Sequence, residues 1–289
     1  MRSTPSAGIN SMIGWGLSSF TEDQMDQIHV ATLEVMQSTG LLVDHDEALK
    51  ILEKGGCWVN NKTKVVRFPK HLVDEAIRLS PSHILLAGRD PEQDFMMGGR
   101  NVGFTPFNTG ALTQDLETSE IRDSNLEDVK NMAILCDALE HVDVASPPVS
   151  AEDMPEEYRD VIGCAVTLPN TTKHVAMDAE SGEHCKKMID MAATVAGGKE
   201  ELKYRPTVHF GVCPTSPLQL IDECCSVIIE SAKHWIPIDV LSMAMSGATA
   251  PIPLAGTLVV HNAEVLSGII LAQLVNPGTP VIYGTSTTT

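Results

Sequence analysis

The chain has 289 residues, of which 43% are hydrophobic and 4% aromatic, and it carries a formal net charge of −18 at pH 7. Such a length can bury one large core, alone or with a smaller companion domain, and the excess of carboxylates excludes a surface for nucleic acid or an anionic membrane, which needs Lys and Arg gathered on one face. Seven cysteines, an odd number scattered through apolar segments, fit a reducing cytoplasm better than a disulfide framework.

Residues 1–19 are rich in Ser and Gly and predict irregular chain, without the apolar core of a signal peptide. Thr21 and Gln24 then spell a capping box, flanked by Phe20 and Met25 at staple positions, and Ile28, Val35 and Met36 continue one face of a helix up to Gly40. Asp44 and Glu47 repeat the capping signal for a second helix that Gly55-Gly56 ends. Cys57 to Phe68 alternates around Asn60-Asn61 like a hairpin, and Lys70 to Leu79 reads as a third helix closed by Ser80-Pro81. Residues 1–100 are therefore expected to form a small α/β cap. It holds His29, His45, His71 and His83, which are expected to be surface or packing residues, and no catalytic constellation.

Beyond Gly98-Gly99 short apolar runs alternate with helical patterns. Strands are expected at Val102 to Phe107, Val142 to Ala145, His174 to Met177, Val208 to Val212, Ile238 to Met243 and Val281 to Tyr283. Between them lie a helix capped by Ser124 and Glu127, one around Tyr158 to Val166, one from Ser181 to Ala196, one from Leu218 to Lys233, and one from Thr257 to Leu274. The last of these belongs to an apolar stretch that His261, Asn262, Glu264 and Gln273 interrupt, which argues against a membrane span. Strand, helix and strand in regular succession make right-handed βαβ units with parallel strands. The fold class is α/β, and a (β/α)8 TIM barrel fits the spacing. An open doubly wound sheet also satisfies the pattern, but no Gly-x-Gly-x-x-Gly follows the first strand. The sixth strand runs into Thr289, so residues 101–289 are expected to be the N-terminal part of a barrel truncated after that strand.

In parallel α/β folds the loops leaving the carboxyl ends of strands carry the chemistry. Here they offer Met243, Met245, Ser246 and Gly247 after one strand and Gly284, Thr285, Ser286 and Thr287 after the next, a set with thioethers, hydroxyls and bare backbone but no charge. Polarisable sulfur and the ring of Tyr283 can line a pocket for a compact, weakly polar ligand. Met243 and Met245 read equally as ordinary core residues. Phe107, Asn108, Asp178 and Thr285 complete the strand-end candidates, with Asp178 either facing a cation or sitting as a helix N-terminal carboxylate before Ser181. His209 and Cys213 stand four apart on one strand, roughly 13 Å, too far for the cysteine to be activated directly. They are expected to line the pocket or pack beside it. Asp178, Glu180 and His184 cluster in sequence without the tight Cys/His pairs of zinc sites, so no metal is expected.

Leu241-Ser-Met-Ala-Met-Ser-Gly, Leu254-Ala-Gly-Thr-Leu, His261-Asn-Ala-Glu-Val-Leu-Ser-Gly and Tyr283-Gly-Thr-Ser-Thr-Thr-Thr, with Cys213-Pro-Thr-Ser-Pro-Leu upstream, resemble the trimethylamine–corrinoid protein methyltransferase family, from about Phe20 to the last residue. The resemblance implies a TIM barrel that moves a methyl group from trimethylamine to the cobalt of a corrinoid (cobalamin) held by a separate, cognate corrinoid protein, in methylamine metabolism or methanogenesis. It implies a cytoplasmic homo-oligomer with no cofactor bound directly. It also implies a pyrrolysine in the trimethylamine enzymes, to which no residue of this chain can be matched. Related enzymes act on quaternary amines such as glycine betaine, and that substrate stays open. Two other classes stay open as well: a metal-dependent lyase on the same fold, which bound metal would reveal, and an inactive fragment that only binds a partner.

Overall fold

The computed structural model describes residues 19–107 and 110–288. By their contacts these residues form two compact units, one of residues 82–210 and one of residues 19–81 together with 211–288.

The second unit is built around the helix Leu254–Val275. By length and composition that helix could cross a membrane, yet from Val260 to Gln273 every residue except Asn262, which is partly exposed, is buried inside the unit. Helices Glu22–Ser38, Lys70–Leu79 and Asp222–Lys233 pack around it, as does the strand Ile238–Ser242. Gly268 makes the last contact possible, because a Cβ there would press into the Val240 and Ile228 side chains. Strands Ile238–Ser242 and Val281–Thr285 pair in parallel over their whole length, from Ile238 opposite Val281 to Ser242 opposite Thr285. This is the βαβ unit that the sequence pattern predicts.

The N-terminal helices belong to the same unit. Thr21 caps the first of them with the reciprocal Gln24 contact expected of a capping box. Strands Trp58–Asn60 and Val65–Arg67 form the expected antiparallel hairpin. Leu41–Val43 pairs antiparallel with Val65–Arg67 on one side and parallel with Gln219–Leu220 on the other. That last pairing corrects the sequence reading, which starts a helix at Leu218: the helix begins at Asp222, and the residues before it are drawn into a strand by the backbone donors of Leu42 and Asp44. The second helix is capped by the His45 ring rather than by Asp44, whose carboxylate is held by Lys64.

In the first unit, strands Val144–Ala145 and His174–Asp178 pair in parallel, and Val208–Val212 lies next to the latter. Helices Leu126–Ala138, Arg159–Thr167 and Gly182–Ala196 connect and cover them. The cap of the first of these falls on Asn125, with Asp128 closing the box, one residue later than expected; the Ser124 hydroxyl instead donates to the Ser150 carbonyl at 2.6 Å. Val102 to Phe107 is not a strand. Gly103 and Pro106 break the run, and the Phe104 carbonyl is taken by the backbone N–H groups of Asp143 and Val144. Two short hairpins, His83–Leu86 with Phe95–Gly98 and Leu112–Gln114 with Ile121–Asp123, were not legible in the pattern. The architecture is mixed α/β with parallel strands, and no closed barrel forms among the described residues.

Candidate functional site

The carboxyl ends of Ile238–Ser242 and Val281–Thr285 do not splay apart where the strands stop. Ser286 N–H donates to the Ser242 carbonyl at 2.9 Å, Thr288 N–H to Ala244 at 3.2 Å, and Ser246 N–H to Thr288 at 3.0 Å. The two exit loops are therefore laced together, and this lacing sets their side chains at one end of the strand pair. Met243 and Met245 are 45% and 39% exposed there, and Tyr283 is 49% exposed. Thr285 is exposed too, and its hydroxyl accepts the Thr287 N–H at 3.1 Å.

Behind these residues the long helix supplies a polar row. Tyr283 donates its hydroxyl to Asn262 Oδ1 at 3.0 Å, and the Asn262 amide donates to Thr32 at 3.1 Å. The His261 ring stands edge-on to the Tyr283 ring with centroids 5.3 Å apart. His261 Nδ1 is 2.9 Å from the Thr287 hydroxyl, which itself donates to the Ser242 carbonyl. Burial holds the His261 pKa below the ordinary imidazole value, so the ring is neutral at pH 7.

One turn further along the same helix lies Glu264, fully buried and the sole charged residue between Leu254 and Val275. It accepts from Ser216 Oγ at 2.7 Å, from Ser242 Oγ at 2.6 Å and from the Leu218 backbone N–H at 2.8 Å. Ser242 ends one strand, and Ser216 and Leu218 lie in the loop that follows Cys213. Cys213 is exposed, unlike the other six cysteines, and its carbonyl accepts from Cys224 Sγ at 3.2 Å. Sequence reasoning missed Glu264 as a node, although a lone carboxylate in a 22-residue apolar helix was a visible signal.

Of the candidates read from the sequence, the second unit thus brings Met243 and Met245 onto laced strand exits, with Tyr283 and Thr285 on the paired strand beside them, and ties the Cys213 loop to them through Glu264. The first unit treats its candidates differently. His209 lies near the amino end of its strand and is 8% exposed. It stacks on His174 at 5.1 Å between centroids, and its Nδ1 is 2.9 Å from His174 Nε2. His174 Nδ1 faces two carbonyls, Ala87 at 3.2 Å and Pro206 at 3.0 Å, so it must carry the proton. His174 Nε2 is then a lone pair and His209 Nδ1 is the donor to it. Burial pushes the His209 pKa down to about 4 and the His174 pKa well below its ordinary value, so both rings are neutral. Asp178 ends its strand exposed, Phe107 is 86% exposed in irregular chain, and Asn108 lies outside the described residues.

One group among the described residues has metal-ligand geometry: Asp160, Glu180 and His184, whose ligand atoms lie within 4.8 Å of one another. Asp160, rather than Asp178, joins the other two. Its oxygens already accept from Val161 N–H, Glu180 N–H and His184 Nδ1, at 2.7 to 3.0 Å, so its acceptor capacity is largely spent within the fold, while the N-caps of the two neighbouring helices are Tyr158 and Ser181. Loss of surrounding water and then the nearby Asp160 charge push the Glu180 pKa up.

Comparison with known proteins places this geometry in context. The family model described as trimethylamine methyltransferase (MTTB) matches residues 14–289. The chain is 45% identical over 288 residues to trimethylamine methyltransferase MttB of Desulfitobacterium hafniense (strain DSM 10664 / DCB-2), covering 100% of this chain and 58% of that protein. It is 30% identical over 267 residues to the glycine betaine methyltransferase of Desulfitobacterium hafniense (strain Y51), covering 92% of this chain and 55% of the relative. The chain therefore spans little more than half the length of these relatives. Among solved structures, the Methanosarcina barkeri monomethylamine methyltransferase (MtmB) superposes with a TM-score of 0.49 at 14% identity, over 93% of this chain and 62% of the other.

Proposed function

This chain belongs to the trimethylamine methyltransferase (MTTB) family, and on that premise we propose that it serves the transfer of a methyl group from trimethylamine to the cobalt of a corrinoid carried by a separate protein. The observation that carries the reading is the spread of identities: 45% to a trimethylamine methyltransferase against 30% to a glycine betaine methyltransferase. We read residues 101–289 as part of a (β/α)8 barrel and residues 1–100 as its cap, in a cytoplasmic homo-oligomer acting in methylamine metabolism. Parallel strands alternating with helices, and cysteines of which six in seven are buried, support that reading.

The chemistry asks little of acids, bases or metals. In the step, a C–N bond of the ammonium ion breaks, the amine leaves with the electron pair, and the methyl carbon bonds to cobalt. Co(I), the nucleophile, arrives with the partner's corrinoid. What this chain must supply is a place that holds the amine, orients one methyl group outward and keeps water away. Met243, Met245 and Tyr283 at the laced strand exits have the right character, being polarisable, aromatic and uncharged, and half-exposed so that a second protein can reach a molecule bound there. His261, neutral, backs them without placing a second cation beside the substrate. Cys213, Thr285, Phe107, Asn108, Asp178 and His209 remain proposed substrate-side residues, His209 with the weakest claim because its donor is spent on His174.

The test is to mix the chain with its cognate corrinoid protein in the Co(I) state and follow methylcobalt formation by its visible spectrum. Methylation by trimethylamine and not by glycine betaine is the expected result. Methylation by glycine betaine alone would move the substrate to the quaternary amines. Failure with both would remove the reading.

A further inference from the structure

We propose that Glu264 is a positioning residue for this reaction: through Ser216, Leu218 and Ser242 its carboxylate fixes where Cys213 and Met243 stand as the chain leaves two strands. The inference rests on the proposed methyl transfer for its functional half and on geometry alone for its structural half.

Glu264 touches no exposed surface and has no cation among its three hydrogen-bond partners. Burying a carboxylate is costly unless its lone pairs are met, and here they are met by donors from the Cys213 loop and from the last residue of a strand. Both serine hydroxyls reach Oε2, at 2.6 and 2.7 Å, the short range of charge-assisted bonds, while the Leu218 N–H reaches Oε1. Two of these contacts bracket the candidate site closely. Ser242 immediately precedes Met243, and Ser216 follows Cys213 by three residues.

The loop is also held from its other side. Leu42 N–H donates to the Leu218 carbonyl at 2.9 Å, and Thr215 and Gln219 exchange backbone bonds at 2.9 and 3.0 Å. Leu218 itself has φ of 57°, a left-handed conformation that a branched side chain adopts only when its surroundings impose it. Glu264 on one side and Leu42 on the other impose it. An apolar side chain at 264 would fill the same space in a helix that is otherwise apolar. The carboxylate adds connection between loops, which apolar packing lacks.

Two variants of the full chain separate a positioning role from mere filling. In Glu264→Gln the amide oxygen can still accept the Leu218 N–H while the amide NH2 donates to the two serine oxygens, so the loops stay joined. In Glu264→Ala they are released. The first readout is the rate at which N-ethylmaleimide alkylates Cys213, the exposed cysteine, followed by mass spectrometry. The second is kcat and KM for trimethylamine in corrinoid methylation. Glu264→Ala is expected to alkylate severalfold faster and to lose kcat by about 100-fold, with KM changed far less, as for a small misplacement of reacting groups. Glu264→Gln is expected to stay near wild type in both. Ser242→Ala, which removes one hydroxyl and leaves the rest, serves if Glu264→Ala does not fold, and should lower kcat about tenfold. A folded Glu264→Ala or Ser242→Ala protein with wild-type kcat overturns the positioning role while leaving the methyl-transfer reading intact. A wild-type chain that transfers no methyl group, with Cys213 alkylation unaltered in Glu264→Ala, overturns both.

Discussion

Two buried polar networks, one in each unit, solve the same problem by opposite means. Around Glu264 an acceptor with several lone pairs collects donors from three points of the chain, two of them hydroxyls that can rotate to suit it. In the His174–His209 pair the rings are neutral, the His209 proton goes to His174, and the His174 proton is shared between two carbonyls. The first arrangement joins loops at the carboxyl ends of strands, where a parallel α/β fold does its chemistry. The second sits at the amino ends and resembles a structural pin. Burial of a polar group is therefore a poor guide to function on its own; the end of the strand at which it is buried says more.

The largest effect should come from breaking the first network outright. Glu264→Leu leaves the Leu218 N–H and the two serine hydroxyls without their acceptor, and should cost about 4 kcal/mol at 1–3 kcal/mol for each unmet buried group. Urea unfolding read by circular dichroism measures it, and a loss below about 1 kcal/mol would mean that the serines find other partners.

The histidine pair should reveal itself through pH. His209 has a folded pKa of about 4 against an ordinary imidazole value of 6.5, so the unfolded chain binds the proton more tightly. Its contribution is complete above pH 6.5, is lost as the pH falls toward 4, and amounts to roughly 3 kcal/mol over that window. The slope of unfolding free energy against pH between 6.5 and 4 should be shallower in the double variant His174→Gln, His209→Gln. An unchanged slope would show that the rings are not held neutral.

Gly284→Ala probes the strand pair that carries the exits. A Cβ there would overlap the Asp239 carboxylate and press on Leu241, which should destabilise by about 2 kcal/mol through overpacking. Because the clash lies on the strands themselves, methyl transfer should fall with it, whereas the pH slope should not change. Thr21→Ala is the mild reference. It removes an exposed capping box and should lower stability by about 1 kcal/mol, with no change in either the Cys213 alkylation rate or the pH slope.

What the sequence reading captured was local and periodic. The capping box at Thr21, the hairpin between Trp58 and Arg67, the helix from Ser181, and the strand–helix–strand unit from Ile238 to Thr285 all follow from signals a few residues apart. It also placed Met243 and Met245 just past a strand end, since the end of an apolar run before a small-residue loop is written in the chain. It ended the next strand at Tyr283, whereas pairing with Ile238–Ser242 carries that strand on through Thr285. It erred where a distant segment competed for the same backbone. Gln219–Leu220 would continue into the helix but for Leu41–Val43, and Val102 to Phe107 would read as a strand but for the carbonyl that Asp143 and Val144 take from Phe104.

Composition and periodicity by themselves determined the class of fold, the amphipathic faces and an uncharged character at the strand ends. The wording of the motifs pointed to the family, which the match over residues 14–289 established. Tertiary structure alone decided which polar residues meet: Glu264 with one serine from a loop and one from a strand end, His174 with His209, and Asp160 rather than Asp178 with His184. The physical reason is range. Hydrophobic periodicity is set by neighbours three or four residues away, while a hydrogen bond needs two atoms within about 3 Å, a condition that sequence separations of 22, 35 and 48 residues leave open until the chain has folded.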